Sequence, residues 1–115
     1  MVTVEEVRAL ALSLPRTEEH LIRDRVTFRV GRIVYIAFSR DETVMGFGFP
    51  KEERAALIEA RPDTFFLERA SDARFQWIDA YTARLDPAET REFVVGAWRM
   101  CVPKRVAAAR LGFTA

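Results

Sequence analysis

VTFRVGRIVYIAFSRDETVMGFGF, which spans residues 26–49, decides the fold of this chain. It contains three runs rich in β-branched and aromatic residues, separated by loops of two and four residues. Such side chains favour pleated surfaces, and loops this short join only antiparallel neighbours. The stretch therefore predicts an antiparallel meander of three strands, Val26–Val30, Ile33–Phe38 and Thr43–Phe49.

The turn at Gly31 sets the expected register of the first hairpin. Glycine accepts the positive φ that a primed two-residue turn demands. In that register Val30 faces Ile33, and Phe28 faces Tyr35. The first two strands are therefore expected to be in step along their whole length.

The second loop completes the expected faces of the sheet. If it closes with Phe38 opposite Thr43, both faces of the sheet are apolar, which predicts that helices or a partner chain cover both. Gly46 and Gly48 alternate along the third run, and they are expected to leave a groove beside Tyr35 that a helix backbone can approach closely.

Helix signals flank the meander. Thr3 and Glu6 have the spacing of a capping box, and an apolar stripe follows them until Pro15. Pro50, followed by a lysine and two acids, opens a second helix. Asp86 is the expected N-cap of a third, with proline at the first helical position and glutamate at the third. A basic turn or helix is expected over residues 104–111.

Alternating side chains over residues 74–80 predict a fourth strand. Residues 16–25 and 62–74 lack periodicity and are expected to be irregular. With 115 residues, the chain is expected to form one domain over residues 1–115. We therefore expect an α+β fold: an antiparallel sheet, consisting of a three-stranded meander plus a fourth strand, packed with helices in the order α-β-β-β-α-β-α.

Charge is distributed unevenly along the chain, although the net charge is only +1. Between residues 23 and 40 five arginines face the single acid Asp24, and from residue 99 onward four basic residues stand without an acid. A nearly neutral protein can therefore present a basic face to a polyanion. The basic residues of the two segments are Arg23, Arg25, Arg29, Arg32 and Arg40, then Arg99, Lys104, Arg105 and Arg110.

Several classes of function are disfavoured. No apolar run is long enough to span a membrane, and the single cysteine excludes an internal disulfide and suits a reducing compartment, so a cytoplasmic protein is expected. Nothing pairs a nucleophile with a base, so the protein is not expected to be an enzyme. His20 follows two glutamates but has no second ligand cluster, and no glycine signature for nucleotides occurs. We therefore expect no metal and no cofactor.

Four other residues could in principle react or stack on a ligand, but their positions fit the hydrophobic core better than a functional site. Cys101 falls on the apolar stripe of the third helix, where a thiol is inert. Tyr35, Trp77 and Trp98 have aromatic rings that could stack on bases, but their spacing is typical of core positions.

Taken in order, several segments resemble the MmcQ/YjbR family over nearly the whole chain. The resemblance implies a double-wing-like α+β fold, in which hairpins flank a helical element, and DNA binding. Gly31 matches the family's hairpin glycine and Arg32 the basic residue after it. Two departures occur before the hairpin, where Leu21–Arg23 replaces a Pro-Phe-Gly-like segment and Val26 replaces a proline. The segments that carry the resemblance are Val4–Pro15, Glu19-His20, Thr27–Arg32, Lys51–Ile58 with Pro62, and Trp98 followed by Val102–Arg105.

The functional hypothesis joins the charge pattern to this resemblance. A non-enzymatic protein is expected to bind double-stranded DNA through the phosphate backbone, since a guanidinium matches phosphate oxygens in a bidentate manner. Three alternatives stay open. Arg29, Arg32 and Arg40 can simply blunt sheet edges; the basic residues near the C-terminus can stabilise the end of a helix; and the apolar sheet face can serve a protein- or peptide-interaction module, including a homodimer. The expected DNA contacts are Arg25, Arg29, Arg32, Lys104, Arg105 and Arg110.

Overall fold

The computed structural model describes residues 1–111 and confirms an α+β fold. Six strands form one antiparallel sheet in the order β1-β2-β3-β4-β6-β5. The strands are β1 (Thr17–Ile22), β2 (Arg25–Val30), β3 (Ile33–Phe38), β4 (Val44–Gly48), β5 (Phe65–Phe66) and β6 (Trp77–Tyr81). The helices are α1 (Val4–Ser13), α2 (Lys51–Ala60), α3 (Pro87–Arg99) and α4 (Lys104–Leu111), and 3-10 turns lie at Ala70–Arg74 and Thr82–Arg84.

The predicted meander corresponds to β2, β3 and β4, but its first hairpin contains a bulge. Val30 pairs with Ile33 as expected, and Gly31 has a φ of +59°. The register then shifts, so that Phe28 pairs with Ile36 instead of Tyr35. The extra residue allows Tyr35 and Ile36 to be buried together, although they are neighbours in sequence.

The second loop of the meander is longer than predicted. Phe38 pairs with Met45 instead of Thr43, and Ser39 N donates to Val44 O at 2.9 Å. Asp41 holds this loop together by accepting from the Ser39 hydroxyl and from the Thr43 backbone and hydroxyl, which lowers the pKa of its carboxyl. Because the register moves by two residues, the same side chains still share a face.

Helices α1 and α3 contact each other and cover one face of the sheet, which we call the inner face. Five side chains of this face are at most 1% exposed: Ile36, Phe38, Met45, Phe47 and Ile78. From α3, Phe93 places its ring 5.0 Å from that of Phe47 and 5.5 Å from that of Phe65. Trp98 is fully buried, and its Nε1 donates to Pro15 O at 2.8 Å. The core therefore lies between this face and the two helices.

The expectation of irregular structure over residues 16–25 is wrong, because that segment forms β1 and the turn to β2. Strand β1 pairs only with β2 and lies at an edge, so it needs no apolar alternation to be stable there. Its turn is made by Arg23 and Asp24, both with positive φ. Residues 62–74 also contain a short strand, β5, in which Phe65 is fully buried. A 3-10 turn follows it, so β6 begins at Trp77 and not at residue 74 as predicted.

The predicted helix starts are largely confirmed. Asp86 and Glu89 form a complete capping box at α3, with bonds of 2.8 and 3.0 Å. At α1 the Thr3 hydroxyl accepts from Glu6 N at 3.2 Å, but the Glu6 carboxylate accepts from that hydroxyl instead of reaching the Thr3 backbone. The apolar residues of the second helix predict a buried side that includes Ala55, but in α2 Ala55 is exposed and Arg54 is buried instead.

Candidate functional site

The face of the sheet opposite α1 and α3, which we call the outer face, is mixed in character and not apolar as predicted. The register aligns one residue from each of the six strands across it. Small residues in the middle of this row leave space above the sheet, and polar side chains stand on either side of that space. The aligned residues are His20, Thr27, Ala37, Gly46, Asp79 and Phe66.

Gly46 and Gly48 do not form the single groove that their alternation suggests. A Cβ on Gly46 would lie 2.7 Å from Asp79 Oδ1 and from the Trp77 ring, on the outer face. A Cβ on Gly48 would lie 3.5 Å from the Ala97 Cβ of α3. The predicted close approach of a helix is therefore confirmed at Gly48, whereas Gly46 makes room for two side chains of β6.

One half of the outer face carries a polar cluster of β1 and β2. Arg29 Nη2 donates to His20 Nδ1 at 3.2 Å, which requires that Nδ1 carry no proton, because arginine has no acceptor. The Thr27 hydroxyl donates to His20 O at 2.8 Å. Arg29 Nε is buried and has no hydrogen-bond partner among the described residues. The guanidinium of Arg29 therefore retains a free donor.

The other half of the outer face forms a cleft of about 500 Å³, which we call the outer-face cleft. Its base is made by strands β3, β4 and β6, and one wall is made by residues 68–76. Apolar and charged side chains both line it. They include Val34, Ala37, Val44, Phe75 and Trp77 among the apolar ones, and Arg25, Glu68, Arg69, Asp72 and Asp79 among the charged ones.

Asp79 is the most deeply buried carboxyl of this cleft, with 5% of the residue exposed. Its Oδ1 accepts from Trp77 Nε1 at 3.3 Å, and its Oδ2 accepts from Glu68 N at 3.2 Å. Burial raises the pKa of the Asp79 carboxyl, and these two hydrogen bonds oppose that shift only in part. The cleft therefore ends in a buried acid whose charge is costly when no further donor is present.

Arg54 fixes the wall of the cleft from behind. Its side chain donates to the carbonyl oxygens of Ala73, Phe75 and Trp77 at 2.7 to 2.9 Å. Lys51 N, at the start of α2, donates to the side-chain oxygen of Gln76 in the same wall at 2.6 Å. These bonds hold an irregular segment in one conformation, and they give α2 a role in shaping the site.

The structure divides the six residues predicted to bind DNA into two groups. Arg25 lines the outer-face cleft, Arg29 lies on the same face, and Arg32 is exposed in the turn at the far end of β2. Lys104 and Arg105 are exposed in the first turn of α4. Arg110 lines a groove beside α1 and α3, so the second group lies on the helical side of the protein.

The residues interpreted as core are buried or partly buried. Burial raises the pKa of the Cys101 thiol, and Cys101 Sγ donates to Ala97 O at 3.5 Å. Burial also raises the pKa of Tyr35 to about 12, and its hydroxyl lies 2.7 Å from that of Thr17. Trp77 differs from the others, because its ring lines the outer-face cleft.

Asp79 and Arg69, which line the cleft, and Arg91, which lines the helical groove with Arg99 and Arg110, were not predicted from the sequence. A signal for Asp79 was present: an acid at a central position of an otherwise apolar strand, on the same face as Trp77. Arg69 and Arg91 gave no such signal, because only the tertiary fold brings them to these sites.

Within residues 1–111, no group of three or more histidine, cysteine, aspartate or glutamate side chains is arranged to hold a metal ion. None of the helices in the described part of the chain is both long and apolar enough to cross a membrane.

Comparisons with known proteins agree with this architecture. A family model described as YjbR matches residues 12–100. The crystal structure of the Deinococcus radiodurans protein DR2400, family-model domain DUF419, has a similar fold, with a TM-score of 0.77 and 18% identity. The match covers 99% of this chain and 91% of that chain. No curated protein matches the chain.

Proposed function

This chain belongs to the YjbR family, and we propose that it is a non-enzymatic DNA-binding protein whose outer sheet face and β2–β3 turn contact the phosphate backbone. One observation carries the proposal: Arg25 and Arg32 are exposed on or beside the sheet face that holds Arg29, and none of the three forms an ion pair with any residue in the range 1–111, whereas Arg8 and Arg61 do. The guanidinium groups of Arg25 and Arg32 are therefore available to an external anion, while Arg29 is partly buried and donates to His20.

The charge of the surrounding segment supports this proposal. Residues 16–40 contain six arginines and three acids, so three positive charges are in excess. One of those acids, Glu19, is occupied by Arg8 in a bidentate ion pair with both distances at 2.9 Å. The remaining positive charge lies on or beside strands β1 to β3, where it can follow a phosphate backbone.

The helical side provides a matched control for this assignment. Lys104 and Arg105 are exposed, like Arg25 and Arg32, and each pair contributes two positive charges. These two residues begin α4, whose Arg110 lines the groove beside α1 and α3, so a duplex bound on the outer face is expected to contact them less than Arg25 and Arg32. Removing either pair changes the net charge equally, so a difference between the two variants reports on location and not on charge alone.

The test is fluorescence anisotropy of a labelled DNA duplex titrated with protein. Wild-type affinity should fall steeply between about 50 and about 200 mM salt, because binding releases counterions. The R25A/R32A variant should bind at least about tenfold more weakly, and its salt slope should be smaller by about two. The K104A/R105A variant should lose much less affinity for the duplex. Equal losses in both variants, or no binding by the wild type at low salt, would contradict the proposal.

A second candidate function, a protein-interaction module, is favoured by the edge of β1. This strand pairs with β2 alone, and Leu21 and Ile22 on it are 71% and 43% exposed. An unpaired edge with exposed apolar side chains can accept a strand from a second copy or a peptide. Light scattering of the wild type and of Leu21→Glu tests this candidate: a concentration-dependent dimer that the substitution abolishes would support it, and a monomer at all concentrations would refute the homodimer.

A further inference from the structure

The outer-face cleft has the properties of a small-ligand site in addition to those of a DNA surface. Its volume of about 500 Å³ lies in the range typical of such sites, and its lining combines apolar walls with a few convergent polar groups. Trp77 and Phe75 provide aromatic surface on one side, and Val34 and Val44 provide aliphatic surface at the base. These walls suit a flat ring.

The deep end of the cleft selects for hydrogen-bond donors. A carboxylate offers about four acceptor positions, and among the residues of the described range Asp79 uses one on each oxygen, for Trp77 Nε1 and Glu68 N. Acceptor capacity therefore remains on both oxygens, side by side. A ligand that presents two parallel N–H groups can use both.

Gly46 explains why this acid can occupy its position. A side chain at Gly46 would lie 2.7 Å from Asp79 Oδ1 and from Trp77 Nε1, so any larger residue would separate the indole from the carboxyl. The glycine thus preserves both the Trp77–Asp79 hydrogen bond and the space above it.

The outer part of the cleft carries charges of both signs. Arg25 and Arg69 line it and are exposed, Glu68 and Asp72 line it as well, and Arg69 lies 4.0 Å from Asp72. Exposed guanidinium groups at the entrance suit a phosphate or another anion. A ligand that fits both ends therefore carries an N–H edge on a flat ring and an anion on the far side.

We propose that the outer-face cleft binds a guanine nucleotide, with the guanine N1–H and N2–H edge on Asp79 and the phosphate at Arg25 and Arg69. Adenine presents an acceptor and a donor on the corresponding edge, so the Asp79 carboxylate disfavours it. The shared chemistry is a guanine with its phosphate, whose source is either a free nucleotide or an unpaired guanine in a single strand. This site goes beyond the proposed duplex contact, because it does not require a duplex.

Tryptophan fluorescence provides the measurement, since Trp77 lines the cleft whereas Trp98 is buried in the core. Guanosine monophosphate should change the emission of the wild type at concentrations at least about tenfold lower than adenosine monophosphate does, a difference of about 1.4 kcal/mol. Trp77→Phe should abolish the signal. Equal responses to the two nucleotides, or none, would overturn the proposal.

Two variants test the two ends of the site. Asp79→Asn should remove the tenfold preference for guanine, because an amide replaces one acceptor oxygen by a donor. Arg25→Ala changes an exposed residue. It should weaken the binding of guanosine monophosphate several-fold and leave the binding of guanosine unchanged. If Asp79→Asn does not fold, as judged by circular dichroism, the Arg25→Ala comparison still decides: an equal effect on nucleotide and nucleoside would refute the phosphate position.

Two further probes test whether the guanine comes from a single strand or a free nucleotide, and whether a different class of ligand binds better. A single-stranded thymidine oligomer with one guanine should compete with guanosine monophosphate if strands supply the base, and failure to compete would restrict the site to free nucleotides. Free L-arginine has parallel N–H donors and a carboxylate but no flat ring, and stronger competition by L-arginine than by guanosine monophosphate would overturn the assignment. Loss of duplex binding alone would leave this proposal intact, since the nucleotide measurement is independent of it.

Discussion

Gly46→Ala tests the packing of the outer face most sharply. The added Cβ would lie 2.7 Å from Asp79 Oδ1 and from the Trp77 ring, so these groups must withdraw by about 0.8 Å to reach an ordinary contact of about 3.5 Å. That movement breaks the Trp77–Asp79 hydrogen bond, which contributes about 1.5–3 kcal/mol when the acceptor is charged. Overpacking adds about 1–3 kcal/mol, and the reduced entropy of the unfolded chain offsets about 0.4–1 kcal/mol.

We therefore expect Gly46→Ala to lower the free energy of unfolding by about 1.5–5.5 kcal/mol. Urea unfolding followed by circular dichroism and tryptophan fluorescence measures this change. Gly48→Ala is the matched control on the same strand, because its Cβ would meet the Ala97 Cβ at an ordinary distance of 3.5 Å; its stability should stay within about 0.5 kcal/mol of the wild type. If Gly46→Ala also left the free energy of unfolding unchanged, the close packing of Gly46 against Trp77 and Asp79 would be wrong.

Three other substitutions have definite expected outcomes. Gly96→Ala, in α3 where a Cβ meets nothing within 4 Å, should stabilise the protein by about 1 kcal/mol in urea unfolding, and a loss of stability would contradict the open surroundings of Gly96. Arg54→Met should cost about 3 kcal/mol, because three carbonyl groups lose their donor. It should also speed tryptic cleavage at Arg69 or Arg74, and unchanged cleavage would show that the wall does not depend on Arg54. Asp79→Asn removes a carboxyl whose pKa burial raises, so the folded wild type binds a proton up to higher pH than the unfolded chain does and loses stability as pH rises through that window. The stability of Asp79→Asn relative to the wild type should therefore increase from about pH 4 to about pH 7, and a pH-independent difference would contradict the burial of Asp79.

The meander and the helix starts could be predicted because their signals are local. Gly31 marks the hairpin turn through its positive φ, and the Asp86 capping box depends on residues three apart. Strand β1 was not predicted, and the reason is physical. An edge strand has one neighbour and needs little apolar surface, so its sequence resembles that of an irregular polar segment. The bulge at Tyr35 depends on contacts across the sheet, which the alternation of one strand does not encode.

The candidate site was less accessible to sequence analysis than the fold. Arg25, Arg29 and Arg32 were predicted from charge, and Arg32 also from the family resemblance; the structure adds that they lack internal ion pairs within residues 1–111. The pairing of Gly46 with Asp79 across β4 and β6 depends on residues 33 positions apart, so their shared cleft appears only in the folded protein. Their roles in binding stay predictions.

Nuclear magnetic resonance mapping of DNA on the folded protein tests the central claim, that the outer face of the sheet is the binding face. Amide chemical shifts would be followed while an unlabelled duplex is added to isotope-labelled protein at low salt. The largest shifts should fall on β2, β3 and the turn at Gly31, around Arg25, Arg29 and Arg32. Largest shifts along α3 and α4, around Arg99 and Arg110, would contradict it.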